Sequence, residues 1–222
     1  MTTARTRRLR AAGACGALAG ALAAALLAAG CGRSALPAVP VGGPWHVAYD
    51  GYGRVSTASG DRGAITLTTA RPATPGSTHA ALVLSARTWR GFRLDLRLRT
   101  NGQLRRDRPN DWEVGWIVWH YLGNDHFYYL MLRPDGWELG QENPAYPGEQ
   151  RFLTTGTRPA FPLHRWYQVV VSQRGDVITA SVDGRRLVRF ADTARPYLSG
   201  RIGLYAEDAS ASYQPVSLAP LR

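Results

Sequence analysis

From Phe92 the chain reads FRLDLRLRT, a strict two-residue alternation that sets Phe92, Leu94, Leu96 and Leu98 on one side and Arg93, Asp95, Arg97 and Arg99 on the other. Only an extended strand with one buried and one wet face satisfies that period. Similar stretches recur as ITLTTA, ALVLSA, QVVVSQ, VITASVDGRRLVRF and the closing GRIGLYAEDASASYQPVSL, while nothing beyond Trp45 carries a convincing helical period. Gly175-Asp176 and Asp183-Gly184 supply tight hairpin turns between such stretches. Roughly ten to thirteen short strands without an internal repeat exclude a propeller or solenoid and predict an all-β, two-sheet antiparallel jelly-roll sandwich.

The N-terminus reads differently. Arg5, Arg7, Arg8 and Arg10 precede an Ala/Leu/Gly stretch that ends in LLAAGC at Cys31, the layout of an export signal: charged start, apolar middle, small residues before the cut. A membrane-spanning helix is the weaker alternative, because about 20 strongly apolar residues are needed to cross a bilayer and this stretch is mostly Ala and Gly. Cys15 lies in the part that would be removed, which leaves Cys31 without a disulfide partner. LAAGC resembles a bacterial lipoprotein signal, with Cys31 as the lipidated first residue of the mature chain; plain secretion is the alternative, and Arg7-Arg8 only weakly matches a twin-arginine signal. The expected organisation is a signal peptide over 1–30, a lipidated Cys and Pro/Gly tether over 31–44, and one jelly-roll domain over 45–222. The expected location is the outer face of the bacterial cell membrane, held by the lipid.

Formal net charge is +11, and every basic residue apart from His is Arg. Four of these leave with the signal. The rest are spread along strands and loops without a dense cluster, which argues against nucleic acid and for solubility with some attraction to anionic lipid or acidic polymer.

Four of the seven Trp fall between Asn110 and Trp137. In HFYYLMLRPDGWELGQEN, taking Asp135-Gly136 as the two-residue turn pairs Arg133 with Glu138 and Leu132 with Leu139. Leu130, Leu132 and Leu139 then face the core, and Tyr129, Met131, Arg133, Glu138 and Glu142 face the other way. Over Trp112 to Tyr121 the same reasoning places Glu113, Trp119 and Tyr121 on the accessible side, because an unpaired buried Glu is costly, provided that no bulge shifts the register.

Taken in order, WIVWHY, GNDHFYYLMLRPDGWELG, RWYQVVVSQRGDVITASVDGRRLVRFAD and GRIGLYAED resemble the concanavalin A-like lectin/glucanase fold, and more narrowly the 3-keto-disaccharide hydrolase domain family, over roughly residues 80–215. The resemblance implies two stacked antiparallel sheets, one concave, with a saccharide bound on the concave side. Glu113, Trp119, Tyr121, Tyr129, Arg133, Glu138 and Glu142 would line that groove. The chain departs from the laminarinase-type members, whose catalytic strand reads Glu-x-Asp-x-x-Glu, since only Asp111-Trp-Glu113 stands at that place.

For glycoside cleavage two carboxyls must stand about 5–5.5 Å apart for retention or about 6.5–9.5 Å for inversion. Glu138 and Glu142 are four residues apart on one strand, roughly 13 Å, and Asp111 and Glu113 two apart, roughly 6.6 Å. Asp111 and Glu113 are therefore the catalytic candidates, with Glu113 as acid/base, although Asp111 after Pro109-Asn110 equally suits a turn. Tyr146 and Arg151 lie in a long Pro-rich segment up to Trp166, expected as an ordered flap over one end of the groove. No zinc spacing, phosphate loop or GxSxG elbow occurs. No cofactor is expected beyond a structural calcium ion, for which Glu207 and Asp208 are the candidate ligands; Glu207 also alternates with Tyr205 and so qualifies for the groove. Three readings stay open: a saccharide or cell-envelope glycan binder, a glycoside-cleaving enzyme, and a structural or protein-interaction module of the envelope.

Overall fold

The alternating stretches fold as strands, and the turns between them follow the chemistry of their residues. Val182 pairs with Arg185, so Asp183-Gly184 is a two-residue turn; φ of 48° and 77° at these positions is the left-handed pair that a type I′ hairpin demands. The computed structural model describes residues 45–58 and 63–221. The expected signal, Cys31 and the tether lie outside the described residues.

Numbered in chain order, one sheet runs β1 (Trp45–Tyr49), β4 (Ala80–Ser85), β13 (Arg201–Glu207), β6 (Gly115–Gly123), β7 (His126–Arg133), β8 (Gly136–Glu142), β9 (Gln150–Gly156). The other runs β12 (Arg185–Ala191), β11 (Val177–Val182), β10 (Tyr167–Arg174), β5 (Phe92–Gln103), β14 (Ala209–Pro220), β3 (Ala64–Thr68), β2 (Arg54–Ala58). The pairings are antiparallel throughout. No helix among the described residues is long and apolar enough to cross a membrane.

The core lies between the sheets. Phe92, Leu94, Leu96 and Leu98 of β5, with Val169 and Val171 of β10, meet Ile117, Trp119, Tyr128, Leu130, Leu139 and Leu204 of the first sheet. Each such side chain contributes about 1.5–3 kcal/mol on burial. Gly115 opens β6 because a Cβ there would sit 2.7 Å from the Tyr213 hydroxyl and 2.8 Å from Leu98; the sheets approach too closely at that point for any side chain.

A second cluster, Leu82, Leu84, Val114, Trp116, Val118, Phe127, Tyr129, Met131 and Tyr205, occupies the opposite, outward side of the first sheet. Two features of register decide which residues reach it. In the β7–β8 hairpin Met131 pairs with Glu138 and Leu130 with Leu139, so the turn is Pro134-Asp135 and the expected register is two residues out. A slip of two keeps every side chain on its face, which is why Tyr129, Met131, Glu138 and Glu142 still point away from the core. In β6, Val118 pairs with Gly203 but Tyr121 with Arg201: three residues oppose two. The extra residue is absorbed at His120, whose φ is 50°, and whose ring nitrogens lie 2.6 Å from the Tyr197 carbonyl and 2.9 Å from that of Arg90. A bulge of this kind inverts the alternation beyond it.

Candidate functional site

The outward side of the first sheet carries a polar row at its β6–β7 end. Arg201 of β13 opposes Tyr121 of β6, the Tyr121 ring lies 5.8 Å from that of Phe127 on β7, Phe127 opposes Glu142 of β8, and Glu142 opposes Gln150 of β9. Arg201, Tyr121, Glu142 and Gln150 are partly exposed. The Tyr121 and Tyr49 hydroxyls both donate to Asn124 Oδ1, at 2.6 and 3.3 Å. Arg201 is fixed from behind, where Nη1 lies 2.7 Å from His46 Nε2. The partly exposed Tyr121 ring, beside the buried ring of Phe127 and flanked by a guanidinium on one side and a carboxyl and an amide on the other, can stack on an apolar ring face while its neighbours hydrogen-bond the edge groups.

Behind the row the groups are buried and tied together. The Tyr129 hydroxyl donates to Glu138 Oε1 at 2.9 Å and accepts from Gln150 Nε2 at 2.8 Å. Arg133 Nη1 donates to Glu138 Oε2 at 3.1 Å, the ion pair expected from the sequence, now diagonal rather than directly opposite. The Tyr205 hydroxyl donates to Glu207 Oε2 at 2.7 Å. Tyr129 lies flat over Gly140, where a Cβ would come within 2.1 Å of its ring.

Burial raises the carboxyls of this face above the ordinary carboxylate range. Burial first, and then the negative charges of Glu207, Glu149, Glu138 and Asp125, push Glu142 up to about 8. Its Oε1 is buried with no hydrogen-bond partner among the described residues. Burial raises Glu207 to about 7 against the opposing hydrogen bond from Tyr205, and raises Glu138 against the Tyr129 bond and the Arg133 charge. Burial, with the Asp125 charge, takes Tyr121 up to about 12.

Several sequence candidates fall elsewhere. Trp119 is fully buried in the inter-sheet core, its indole N–H donating to Gln173 Oε1 at 2.7 Å; alternation was read with the wrong face outward, because Glu113 precedes the strand and says nothing about its parity. Tyr121 does reach the outward face, but through the bulge. Residues 111–114 form a turn rather than a strand, so strand spacing does not apply to the proposed acid pair: Asp111 is exposed and Glu113 fully buried. Glu113 accepts from Arg105 Nε at 2.5 Å and Asn110 Nδ2 at 2.7 Å, as a buried structural carboxylate. The expected flap contains strand β9, preceded by one turn of 3-10 helix at Pro147–Glu149 and followed by irregular chain over 157–166. Arg151, pairing with Gln141, points away from the outward face and binds the buried Asp192 at 2.8 Å. Tyr146 is flanked by the guanidinium groups of Arg151 and Arg195, at 5.2 and 5.9 Å, and so belongs with Arg151 rather than with the row.

Arg201, Phe127, Gln150 and Tyr49 were missed. Phe127 and Arg201 were within reach of the alternation, sharing parity with Tyr129 and Tyr205. Gln150 was hidden by the misreading of β9 as loop.

The calcium assignment fails on its donors. The ion takes six to eight oxygens, but Asp208 spends Oδ1 on the His79 amide at 2.8 Å and Oδ2 on Arg105 at 2.8 Å, while Glu207 turns toward Tyr205. The Arg105 guanidinium already supplies the positive charge between Glu113 and Asp208. No group of three or more His, Cys, Asp or Glu among the described residues is placed to hold a metal.

No family model matches the chain, and no curated protein does. Solved structures do. A carbohydrate-binding module, CBM66 from Bacillus subtilis, superposes with a TM-score of 0.57 at 14% identity, covering 79% of this chain and 94% of that one. A native glycosidic hydrolase gives 0.54 at 12%, covering 78% and 88%. The exoplasmic/lumenal domain of VIP36, in a form bound to Ca2+ and Man3GlcNAc, gives 0.53 at 11%, covering 81% and 84%. The architecture is the two-sheet jelly-roll sandwich shared by these proteins.

Proposed function

We propose that the row Arg201, Tyr121, Phe127, Glu142 and Gln150 binds a saccharide. The observation that carries this reading is the row itself: adjacent rings and hydrogen-bonding groups of both kinds follow one another across neighbouring strands on the sheet face turned away from the second sheet. A Glu142 that keeps its proton at neutral pH suits hydroxyl-rich ligands, because a neutral acid both donates and accepts. Carbohydrate-binding and glycosidase-like proteins among the structural neighbours support the same reading. The test is thermal unfolding of the chain against a panel of neutral oligosaccharides. A ligand at about 100 times its Kd stabilises by about 2.7 kcal/mol, visible as a rise in Tm; Tyr121→Ala should abolish that rise, and a rise retained in full would exclude the row.

A second reading is favoured by one observation. Glu142 at about 8 carries its proton at neutral pH, the state a general acid requires, so a glycoside-cleaving enzyme, such as the 3-keto-disaccharide hydrolases that the sequence resembles, would use Glu142 and not Glu113. Reducing-end release that disappears in Glu142→Gln but survives Asp111→Asn selects this reading, and its absence with all substrates leaves the binder.

Export and lipid anchoring through Cys31 complete the proposal, on the sequence pattern alone. Cells expressing the chain should place it in the detergent phase on phase separation, and Cys31→Ser should move it to the aqueous phase; equal partition of both would remove the anchor.

A further inference from the structure

The outward face of the second sheet is chemically the inverse of the saccharide row. Arg93, Arg97 and Arg99 project from β5, and Arg186 and Arg189 from β12, opposite Ser181 and Thr179 of β11. The pairs Arg93–Ser172 and Arg97–Gln168 join β5 to β10, and Ser172 in turn pairs with Thr179, so the five arginines span the four strands β5, β10, β11 and β12. Among the described residues none of the five forms a salt bridge. Arg97 donates to Gln214 Oε1 at 3.1 Å and Arg99 to Asn101 Oδ1 at 2.7 Å, both neutral acceptors, and both guanidinium groups lie over Trp166 at 5.1 and 4.6 Å. The acid within this face, Asp95, is held by Gln168 Nε2 at 3.2 Å. A hollow of about 300 Å³ opens beside it, lined by Arg93, Asp95, Gln168, Val170, Ser181 and Gly184.

We propose that this face binds an acidic polysaccharide, one whose sugar units carry carboxylates. Guanidinium groups stay charged at any physiological pH and match carboxylates two bonds at a time. Five of them facing one way with a single acid between them leave a positive field that only an anionic partner neutralises. The rows between the charges decide the kind of anion. Ser172, Thr179, Ser181 and Gln168 offer neutral hydrogen bonds that sugar hydroxyls use and a plane of lipid headgroups does not need. An anionic membrane would also call for apolar side chains to enter it. The exposed large apolar residues, Tyr52, Leu122, Phe152, Leu198 and Leu221, all lie off these four strands.

The test uses the full chain with polygalacturonate, neutral dextran, and vesicles of phosphatidylglycerol in phosphatidylcholine. Polygalacturonate should bind at low ionic strength and be released as salt rises, since exposed charges are screened within about 10 Å at 0.1 M. Arg93→Ser with Arg189→Ser, two exposed residues whose side chains make no hydrogen bond or ion pair among the described residues, should weaken that binding at least tenfold, while Arg71→Ser, an exposed arginine off these strands, leaves it unchanged. Unaltered affinity in the double variant, binding indifferent to salt, or equal capture by dextran each overturns the proposal. Tighter binding to the anionic vesicles, lost in the same double variant, overturns it in favour of a membrane surface.

Discussion

Glu142 binds its proton more tightly in the folded chain than in the unfolded one, where the ordinary value is 4.5. Its contribution to stability is therefore complete below about pH 4.5 and is lost as the pH rises through about 8, because the unfolded state gives up the proton first. Glu207 acts in the same direction up to about 7. The free energy of urea unfolding should accordingly decline from about pH 5 to about pH 8, and Glu142→Gln should flatten the upper part of that decline; parallel curves for the two chains would mean that Glu142 is ionised in the fold. Trp119 behaves as a core residue instead. Trp119→Ala should cost about 3–5 kcal/mol and leave Gln173 Oε1 without the indole donor, with no effect on the saccharide affinity of the fraction that stays folded, as measured by titration at low temperature.

At the level of elements, the Tyr129–Gly140 contact ties β7 to β8 and aims the Tyr129 hydroxyl at Glu138 and Gln150. Gly140→Ala leaves no room for the ring and should destabilise by about 1–3 kcal/mol, while a surface change on the other sheet such as Ser181→Ala does nothing comparable; equal stability of the two variants in denaturant would show that the ring can move aside. The same hairpin explains what the sequence can reveal. Strands, their turns at Gly175 and Asp183, and the inward face of β5 follow from period and turn chemistry alone. The β7–β8 faces survived a two-residue register slip because parity did. Parity failed for β6 up to Trp119 because it was set from Glu113, which precedes the strand; the bulge at His120, held by carbonyls of Arg90 and Tyr197 far along the chain, then brings Tyr121 to the outward face. It failed again where β9 hid among prolines, and Gln150 with it. Glu113 misled for a different reason: its counter-charge, Arg105, comes from a loop that no local pattern connects to it.

At the scale of the whole molecule, the two sheets turn opposite chemistry outward: rings and acids whose protons burial holds more tightly on one, arginines without an acidic partner among the described residues on the other. If both proposed sites hold, a neutral saccharide and an acidic chain bind at once without either displacing the other, so saturating polygalacturonate should leave the affinity for the neutral ligand unchanged. The central claim is that the saccharide site is the row across β13, β6, β7, β8 and β9. The most direct test is an amide NMR titration of the chain with the oligosaccharide that stabilises it best. Shifts should concentrate at Tyr121, Phe127, Glu142, Gln150 and Arg201; shifts confined to β5 and β10, or none at saturation, would contradict it.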